Sequence, residues 1–332
     1  MSRGGFLSFG IAAFVSAFFL ACPGAILEHA AFLRDLRFEA VHVQNADDPT
    51  FRDTGSGFVY HVAHNLDAGL GLPLLLLALI SVGYAFYKRE RGDGLLAAFA
   101  LPYYVLISLA AVRYARYTIP LLPVLALWVG RMAADWSRLP RPILRRCAVG
   151  LGGGVWLLTL VNVLLLERPM TRQDPRDEAL QEINRDAPTA TVGFAAQPWF
   201  GTPPVSPYFS SPKPGGWREA VSRQEATRIV YAGKDWDATL LESEKPDNIA
   251  LSEYDYDDAL RLKDPRAMRC LQTLGQHYQS HFVNYFPIDF LALLDGLTTT
   301  IGGQPTRGLP HDMTYTDPVI IILYHEHPLR RQ

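Results

Sequence analysis

The amino-acid sequence has few cysteines throughout and few charges in its first half. Only three of its 332 residues are cysteine (Cys22, Cys147 and Cys270). Two of them lie within apolar runs, so we predict no disulfide bond. The chain also lacks the basic, aromatic-interleaved pattern of a nucleic-acid-binding protein. It has no Gly-Lys-Ser/Thr phosphate loop and no Gly-x-Gly-x-x-Gly motif, which argues against nucleotide binding.

Charge divides the chain into two regions. Residues 1–166 carry a net charge of +4 and contain nearly all the long uncharged runs, whereas residues 167–332 carry a net charge of −6. We predict a multi-helix membrane domain at 1–166, with an extracytoplasmic loop at 23–67. A small soluble α/β domain is expected at 167–332, on the periplasmic side.

Five uncharged runs predict about five transmembrane helices. A membrane span needs about 20 apolar residues, and buried helices of soluble proteins rarely stay uncharged that long. The fourth run is short, but it reaches Trp136 if the Arg131 side chain extends to the interface. The first run can also be a secretory signal, which equally leaves the following segment outside. The runs are residues 4–27, 68–87, 94–112, 117–130 and 147–166.

The distribution of basic residues predicts the orientation. With the N-terminus inside, the inner segments 1–5, 88–93 and 131–146 hold nine Lys/Arg and three acidic residues. The outer loop 23–67 holds three basic and seven acidic residues. Basic residues favour the cytoplasmic side. We therefore expect an integral protein of the cytoplasmic (inner) membrane, part of the cell envelope, with its C-terminal domain periplasmic.

Arg113 and Arg116 stand between the third and fourth runs, on the side where the charge rule would not place them. Two interpretations are open. They are rim arginines that meet membrane-lipid headgroups, or they form a positive site for a phosphate, which guanidinium groups bind with a planar fork. Tyr114 and Tyr117 suit an interfacial position in either case.

The stretch Arg116-Tyr-x-x-Pro-x-x-Pro123 resembles the opening of a membrane helix in glycosyltransferases that use polyprenyl-phosphate sugars. These have the GT-C fold and include relatives of protein mannosyltransferases and the aminoarabinose transferase of lipid A. Further segments are similar to parts of that family's outer loop and C-terminal domain. They are residues 32–39, 57–61, 69–73, 198–204 and 311–318.

The resemblance implies transfer of a sugar from a polyprenyl-phosphate donor on the outer face of the membrane. Arg113 and Arg116 would hold the carrier phosphate, beside Tyr117. Tyr60 and His61, just before the second run, are further candidates for contacts with substrate. His61 can act as a base or contact phosphate, or it can simply bond to a neighbouring backbone group.

The resemblance covers only the C-terminal portion of such an enzyme. The family carries its catalytic carboxylates in a first outer loop, and nothing before Phe6 can supply that loop. The chain is then a truncated transferase, one half of an enzyme completed by a second polypeptide with the N-terminal helices, or inactive alone. Within the chain, Asp35 and Glu39 are the remaining candidates for the catalytic base.

Residues 25–43 predict an amphipathic helix in the outer loop. Its apolar stripe contains Phe32, Leu33 and Leu36 at helical spacing. Its acidic stripe lies either in water, with the helix at the membrane interface, or against an active-site cavity. In the second case Glu39 and His42 could bind a divalent metal, the one cofactor the sequence suggests, although two ligands do not define a site.

The second region alternates helical and strand patterns, which predicts a small α/β domain with a partly parallel sheet. The expected helices are 174–186, 216–223 and 265–281. The expected strands are 191–195, 227–232, 248–254, 283–286 and 318–325.

Other functions remain open from sequence alone. The main alternative is a non-catalytic, membrane-anchored periplasmic scaffold or a decayed transferase. A transporter is a weaker interpretation, because the five runs contain no charge that could line an ion pathway.

Overall fold

The chain is mostly helical, with one small mixed sheet in its second region, as seen in a computed structural model. The structure describes residues 3–45, 49–186, 190–195, 201–205, 230–232, 236, 238, 241, 243–282, 299–301, 304–306, 310–315 and 317–325.

Six helices of 15 residues or more make up most of the described first region, and a four-residue helix, Gly24–Leu27, lies between the first two. Between α2 and α3, residues 57–70 form an irregular loop helix with a π-helical middle, His61–Leu66. A 3₁₀ turn, Ala115–Leu121, leads into α5 and is called here the lead-in turn. The helices are α1 (Arg3–Ala21), α2 (His29–Asn45), α3 (Leu72–Lys88), α4 (Arg91–Leu109), α5 (Leu122–Trp136) and α6 (Pro142–Glu167).

Three helical segments of the described chain are long and apolar enough to cross a membrane. They are Arg91–Leu109, Ala115–Trp136 and Pro142–Glu167, which correspond to the third, fourth and fifth predicted runs. The first and second runs contain shorter apolar helices, Phe9–Ala21 and Leu72–Lys88. Length and composition therefore support a membrane protein with three spanning helices.

Local signals in the sequence set the boundaries of α3 and α4. Gly71 precedes α3 with φ of 73°, a conformation that favours glycine, and Pro73 follows in the first turn, where its missing N–H is harmless. Arg89 ends α3 in the left-handed conformation. Glu90 and Asp93 then form a reciprocal capping box that starts α4.

The helices α3, α4, α5 and α6 pack around two small apolar clusters. One joins Ala85 of α3, Ile107 of α4 and Trp128 of α5. Small residues such as Ala85 let helix backbones approach closely, as is usual between membrane helices. The other cluster consists of Leu77, Met132 and Val155 from α3, α5 and α6.

A polar cluster joins the end of α3, the start of α4 and the end of α5. The Arg131 guanidinium bonds the Asp93 carboxylate and lies 3.4 Å from Glu90. Arg131 and Asp135 are four residues apart in α5, a spacing that allows a pair within one helix. Instead, the Asp135 carboxylate accepts a hydrogen bond of 2.8 Å from the Tyr84 hydroxyl, because the turn between α3 and α4 brings closer partners to Arg131.

The sheet of the second region, here the α/β module, is partly parallel, as predicted. Its strand order is β2-β1-β3-β7-β4, with β1 parallel to β2 and β3, and β7 antiparallel to β3 and β4. Two further strands form a separate hairpin. The strands are β1 (Val192–Phe194), β2 (Val230–Ala232), β3 (Asn248–Ser252), β4 (Tyr278–Phe282), β5 (Thr299–Ile301), β6 (Gln304–Thr306) and β7 (Ile320–His325).

Helices cover both faces of this sheet. On one face, α7 (Pro175–Asp186) packs against Ile320 and Ile322 of β7. On the other, α8 (Glu253–Arg261) and α9 (Pro265–His277) pack against the alternate residues of the same strand. A strand covered on both faces must be apolar at every position, which explains the unbroken apolar run at 319–323.

Two sequence predictions in this region need correction. The predicted helix 265–281 ends at His277, and Tyr278–Phe282 instead forms β4, which pairs with β7. The predicted strand 248–254 ends at Ser252, because Ser252 and Asp255 form a capping box that starts α8. The predicted helix 216–223 and strand 283–286 lie outside the described residues.

Candidate functional site

The two arginines lie where α4 ends and the lead-in turn begins, beside the loop helix. The loop helix crosses α4 at Gly57, where any side chain would collide with the backbone carbonyl of Ser108. The Tyr104 hydroxyl of α4 donates to the carbonyl of Phe58, 2.5 Å away. These contacts bring the residues that follow Gly57 alongside residues 113–117, called here the arginine stretch.

His61 and Asn65 join the loop helix to this stretch. His61 is fully buried, and its Nε2 donates to the carbonyl of Ile107, 3.1 Å away. The Asn65 amide donates to His61 Nδ1 and to the carbonyl of Arg113, both at 2.9 Å. Burial, with the charge of Arg113 nearby, lowers the pKa of His61 despite its bond to Ile107. Both ring nitrogens are engaged, so His61 positions the site.

Arg113 is half-buried between the loop helix and the lead-in turn. Its Nη1 donates to the Thr54 hydroxyl at 2.5 Å, and its guanidinium carbon lies 5.8 Å from the centre of the Tyr60 ring. Among the described residues its Nε, which is buried, has no hydrogen-bond partner. A buried N–H group without a partner is unusual in proteins and leaves Arg113 with capacity for an acceptor.

Arg116 lies over aromatic rings and faces solvent. Its guanidinium carbon is 3.9 Å from the centre of the Tyr114 ring and 5.8 Å from that of Tyr117. Its side chain is 50% exposed. The Tyr117 carbonyl accepts a hydrogen bond of 2.9 Å from the Tyr103 hydroxyl of α4, which fixes the backbone below Arg116. Arg116 is thus a positioned cation with an open side.

Tyr60 lies between the two regions of the chain. Its ring packs edge-on against Phe51 and at 4.7 Å against His64. Burial raises the pKa of Tyr60, which outweighs the opposing effect of the Arg261 charge. The charges of Asp258 and Asp312 also act on Tyr60, so groups from the α/β module lie close to the arginine site.

Asp312 of the α/β module contacts the arginine stretch directly. Its two carboxylate oxygens accept from the backbone N–H groups of Ala115 and Arg116, at 2.9 and 3.0 Å. Its Oδ2 also lies 4.0 Å from Nη1 of Arg116. The first N–H groups of a helical segment lack partners within it and attract negative charge, so Asp312 caps the lead-in turn.

Arg261 forms another contact between the described parts of the two regions. Its guanidinium donates to the carbonyls of Arg52, Pro49 and Thr50 at 2.5, 2.9 and 3.1 Å. It also donates to Asp258, which holds its orientation. Arg261 therefore satisfies the carbonyls around a 3₁₀ turn, Pro49–Phe51, and steadies the segment that carries Thr54.

The carboxylate candidates of the outer loop lie on α2, whose side chains are all exposed or half-exposed. Asp35 pairs with Arg34 on the same exposed surface. His42 stacks on Phe38, with ring centres 6.2 Å apart. Within the part of the chain that the structure describes, no third His, Cys, Asp or Glu joins Glu39 and His42 to form a metal-binding group.

The structure thus brings together Arg113, Arg116, Tyr117, Tyr60 and His61, and it leaves Asp35, Glu39 and His42 on a separate helix. The sequence patterns do not indicate several residues that contact this site. The segment that contains Asp312 attracted notice only through its resemblance to the glycosyltransferases. The missed residues are Thr54, Asn65, Arg261 and Asp312.

This arrangement is suited to binding an anion. Two guanidinium groups project from one short stretch, and tyrosine rings beside them limit their motion. Among the described residues, Nε of Arg113 has no hydrogen-bond partner. Arginine remains charged at any physiological pH and binds phosphate oxygens through paired donors. Comparisons with protein-family models, with curated proteins and with solved structures found no match to this chain.

Proposed function

We propose that this chain is an integral membrane glycosyltransferase, or the C-terminal half of one. It would transfer a sugar from a polyprenyl-phosphate donor at the outer face of the cytoplasmic membrane. The observation that carries the proposal is the pairing of Arg113, which has a donor without a partner, with the exposed Arg116. Arg113 lies just before Ala115–Trp136, a helical segment suited to span the membrane, and Arg116 lies in its first turn.

The chemistry requires a cation where the leaving phosphate forms. When the bond between sugar and phosphate breaks, negative charge grows on the carrier phosphate, and a positioned guanidinium stabilises that charge. The aromatic rings around Arg113 and Arg116 hold both groups before the donor arrives, so little reorganisation is needed during the reaction. Tyr60 and Tyr117 would line the same site.

The proposed topology has five membrane helices, an inner N-terminus and a periplasmic α/β module. It places the Arg131 and Asp93 cluster on the inner side and Arg113 with Arg116 on the outer side. Every described side chain of α1 from Phe9 to Ala21 is exposed, so this helix offers its whole apolar surface to lipid or to other helices. Helices of a second polypeptide would fit against it, and they could supply the catalytic carboxylate.

One observation favours the alternative of a non-catalytic scaffold or a decayed transferase. The carboxylates proposed as a base, Asp35 and Glu39, lie exposed on α2, and among the described residues no hydrogen bond or ion pair joins either of them to Arg113 or Arg116. A transferase needs a base beside its acceptor hydroxyl. A scaffold would need none, and the arginines would then serve only to hold lipid headgroups.

The test replaces Arg113 and Arg116 singly with Gln and measures binding of undecaprenyl phosphate to the purified protein in nanodiscs. Each charge-assisted hydrogen bond contributes about 1.5–3 kcal/mol, so we expect binding about 10- to 100-fold weaker. Arg138→Gln is the control, because it removes an exposed arginine beyond the far end of α5. Binding within twofold of the unmodified protein in both variants would refute the proposed role.

A second measurement distinguishes the carrier lipid from ordinary headgroups. The same variants are tested against nanodiscs that contain phosphatidylglycerol and no polyprenyl phosphate. Weaker binding of the polyprenyl carrier, with binding of phosphatidylglycerol unchanged, supports a donor site. Equally weaker binding of both lipids supports the scaffold.

A further inference from the structure

The arginine stretch is already bound by a carboxylate of the same chain. The Asp312 carboxylate takes the N–H groups of Ala115 and Arg116 and lies 4.0 Å from the Arg116 guanidinium. Its side chain is only 7% exposed. The partners are separated by 197 residues along the chain, so the contact exists only while the α/β module is docked.

A phosphate bound by the same arginines would lie close to this carboxylate. A group that contacts Nη1 of Arg116 at about 3 Å lies no more than about 7 Å from Asp312 Oδ2, because Nη1 and Oδ2 are themselves 4.0 Å apart. Two negative charges at that separation repel each other, and more strongly where water is excluded. The carboxylate and the phosphate therefore cannot both occupy their best positions.

We propose that Asp312 is an internal competitor for the anion that Arg113 and Arg116 bind, so that docking of the α/β module and binding of a lipid-linked phosphate oppose each other. This inference rests on the proposed function, since it describes regulation of the same site. The donor phosphate displaces Asp312 from the lead-in turn, and loss of the donor lets Asp312 return.

The contact of Arg261 gives the α/β module a pivot about which it can rotate. Arg261 donates to the carbonyls of Pro49, Thr50 and Arg52. A phosphate is itself an acceptor and does not bind to these carbonyls. Arrival of a phosphate weakens the Asp312 contact and leaves the Arg261 contact intact. The module then turns about Arg261 and exposes the site without leaving the membrane domain.

The experiment compares undecaprenyl phosphate binding by the unmodified protein, Asp312→Asn and Asp264→Asn. Asp312→Asn removes the competing charge with little change in shape, and we expect binding at least about fivefold tighter. Asp264→Asn is the matched control: it removes one charge from the same module, at the exposed N-cap of α9, where Asn also caps well. Unchanged or weaker binding by Asp312→Asn, with the control unchanged, overturns the inference.

A measurement on the unmodified protein covers the case in which Asp312→Asn fails to fold. Hydrogen exchange of the 310–315 segment is followed with and without undecaprenyl phosphate, and then with inorganic phosphate. Displacement of Asp312 makes exchange in this segment faster when a phosphate binds, and the inorganic ion shows whether the headgroup alone is sufficient. Slower or unchanged exchange with the lipid carrier contradicts the competition.

These results separate the two proposals. If Gln at positions 113 and 116 leaves binding unchanged, the proposed function fails. If those variants weaken binding and Asp312→Asn does not tighten it, the arginine site stands and only the competition is wrong.

Discussion

Replacement of Arg261 by Gln should detach the segment 49–57 from the α/β module. The shorter, neutral side chain cannot reach the carbonyls of Pro49, Thr50 and Arg52, which Arg261 satisfies together. It also leaves Asp258 without its partner. The segment that carries Thr54, and through Thr54 the Arg113 guanidinium, then loses its anchor to the module.

The magnitude follows from the number of bonds and their exposure. Three hydrogen bonds from a charged donor would contribute about 1.5–3 kcal/mol each in a dry site. The Arg261 side chain is 29% exposed, so water replaces part of what is lost, and about 1 kcal/mol per bond is the appropriate value. The total of about 2–3 kcal/mol corresponds to local opening that is about 30- to 150-fold more frequent.

Hydrogen exchange measures this opening directly. The amide of Arg52 donates to the carbonyl of Pro49 in the same turn, and its exchange should accelerate by that factor. Arg261→Lys keeps the charge without the planar fork and should give an intermediate rate. Arg266→Gln, on the exposed first turn of α9, is the control and should leave this amide unchanged.

The outcome that would refute the reasoning is specific. If Arg261→Gln accelerates exchange of the Arg52 amide by less than about threefold, the module does not hold the segment. The contacts of Arg261 would then have no energetic importance, as is common for polar groups at surfaces.

Three further predictions concern packing, charge and pH. Gly57→Ala should destabilise the protein by about 1–3 kcal/mol or more, because its Cβ would collide with the α4 backbone. The loss is measured as a lower thermal midpoint in detergent. Gly83→Ala is the control, because its Cβ meets open space and the change should be neutral or stabilising. Asp93→Asn breaks the pair with Arg131 and should cost about 3–5 kcal/mol, and in a double-mutant cycle with Arg131→Gln the combined loss should be smaller than the sum. Burial raises the pKa of Asp255 to about 6 from its ordinary value of 3.8. Between these pH values the folded state binds more protons than the unfolded state, so the free energy of unfolding should fall as pH rises. Chemical denaturation measures this fall, and Asp255→Asn should abolish it.

Those parts of the fold that depend on neighbouring residues could be predicted from the sequence. Uncharged runs indicated the three spanning helices, since burial in lipid constrains every residue of a span. The apolar run of β7 and the Asp-Pro start of α7 were equally local signals. The end of α9 was missed because β4 forms through pairing with β7, 39 to 47 residues further along the chain.

The candidate site was predictable only in part. Arg113 and Arg116 attracted attention because charge between two apolar runs is unusual. Their partners were hidden, since no spacing rule connects Asp312 with Ala115 or Arg261 with Arg52. Arg131 gives the same lesson at smaller scale. A partner four residues away was plausible, and a partner 38 residues away took its place.

The position of β7 in the sheet has a consequence for biogenesis. It lies between β3 and β4 and joins them, yet among the described strands it is the last to be synthesised. Until residues 320–325 emerge, β1, β2 and β3 have no connection through the sheet to β4, and the apolar faces of α7 and α9 lack the cover that β7 supplies. We therefore expect the module to fold in one late step, after β7 has been synthesised. Because Asp312 lies only eight residues before the start of β7 at Ile320, the contact with the arginine stretch would also form late, so an unfinished module would not obstruct the arginine site.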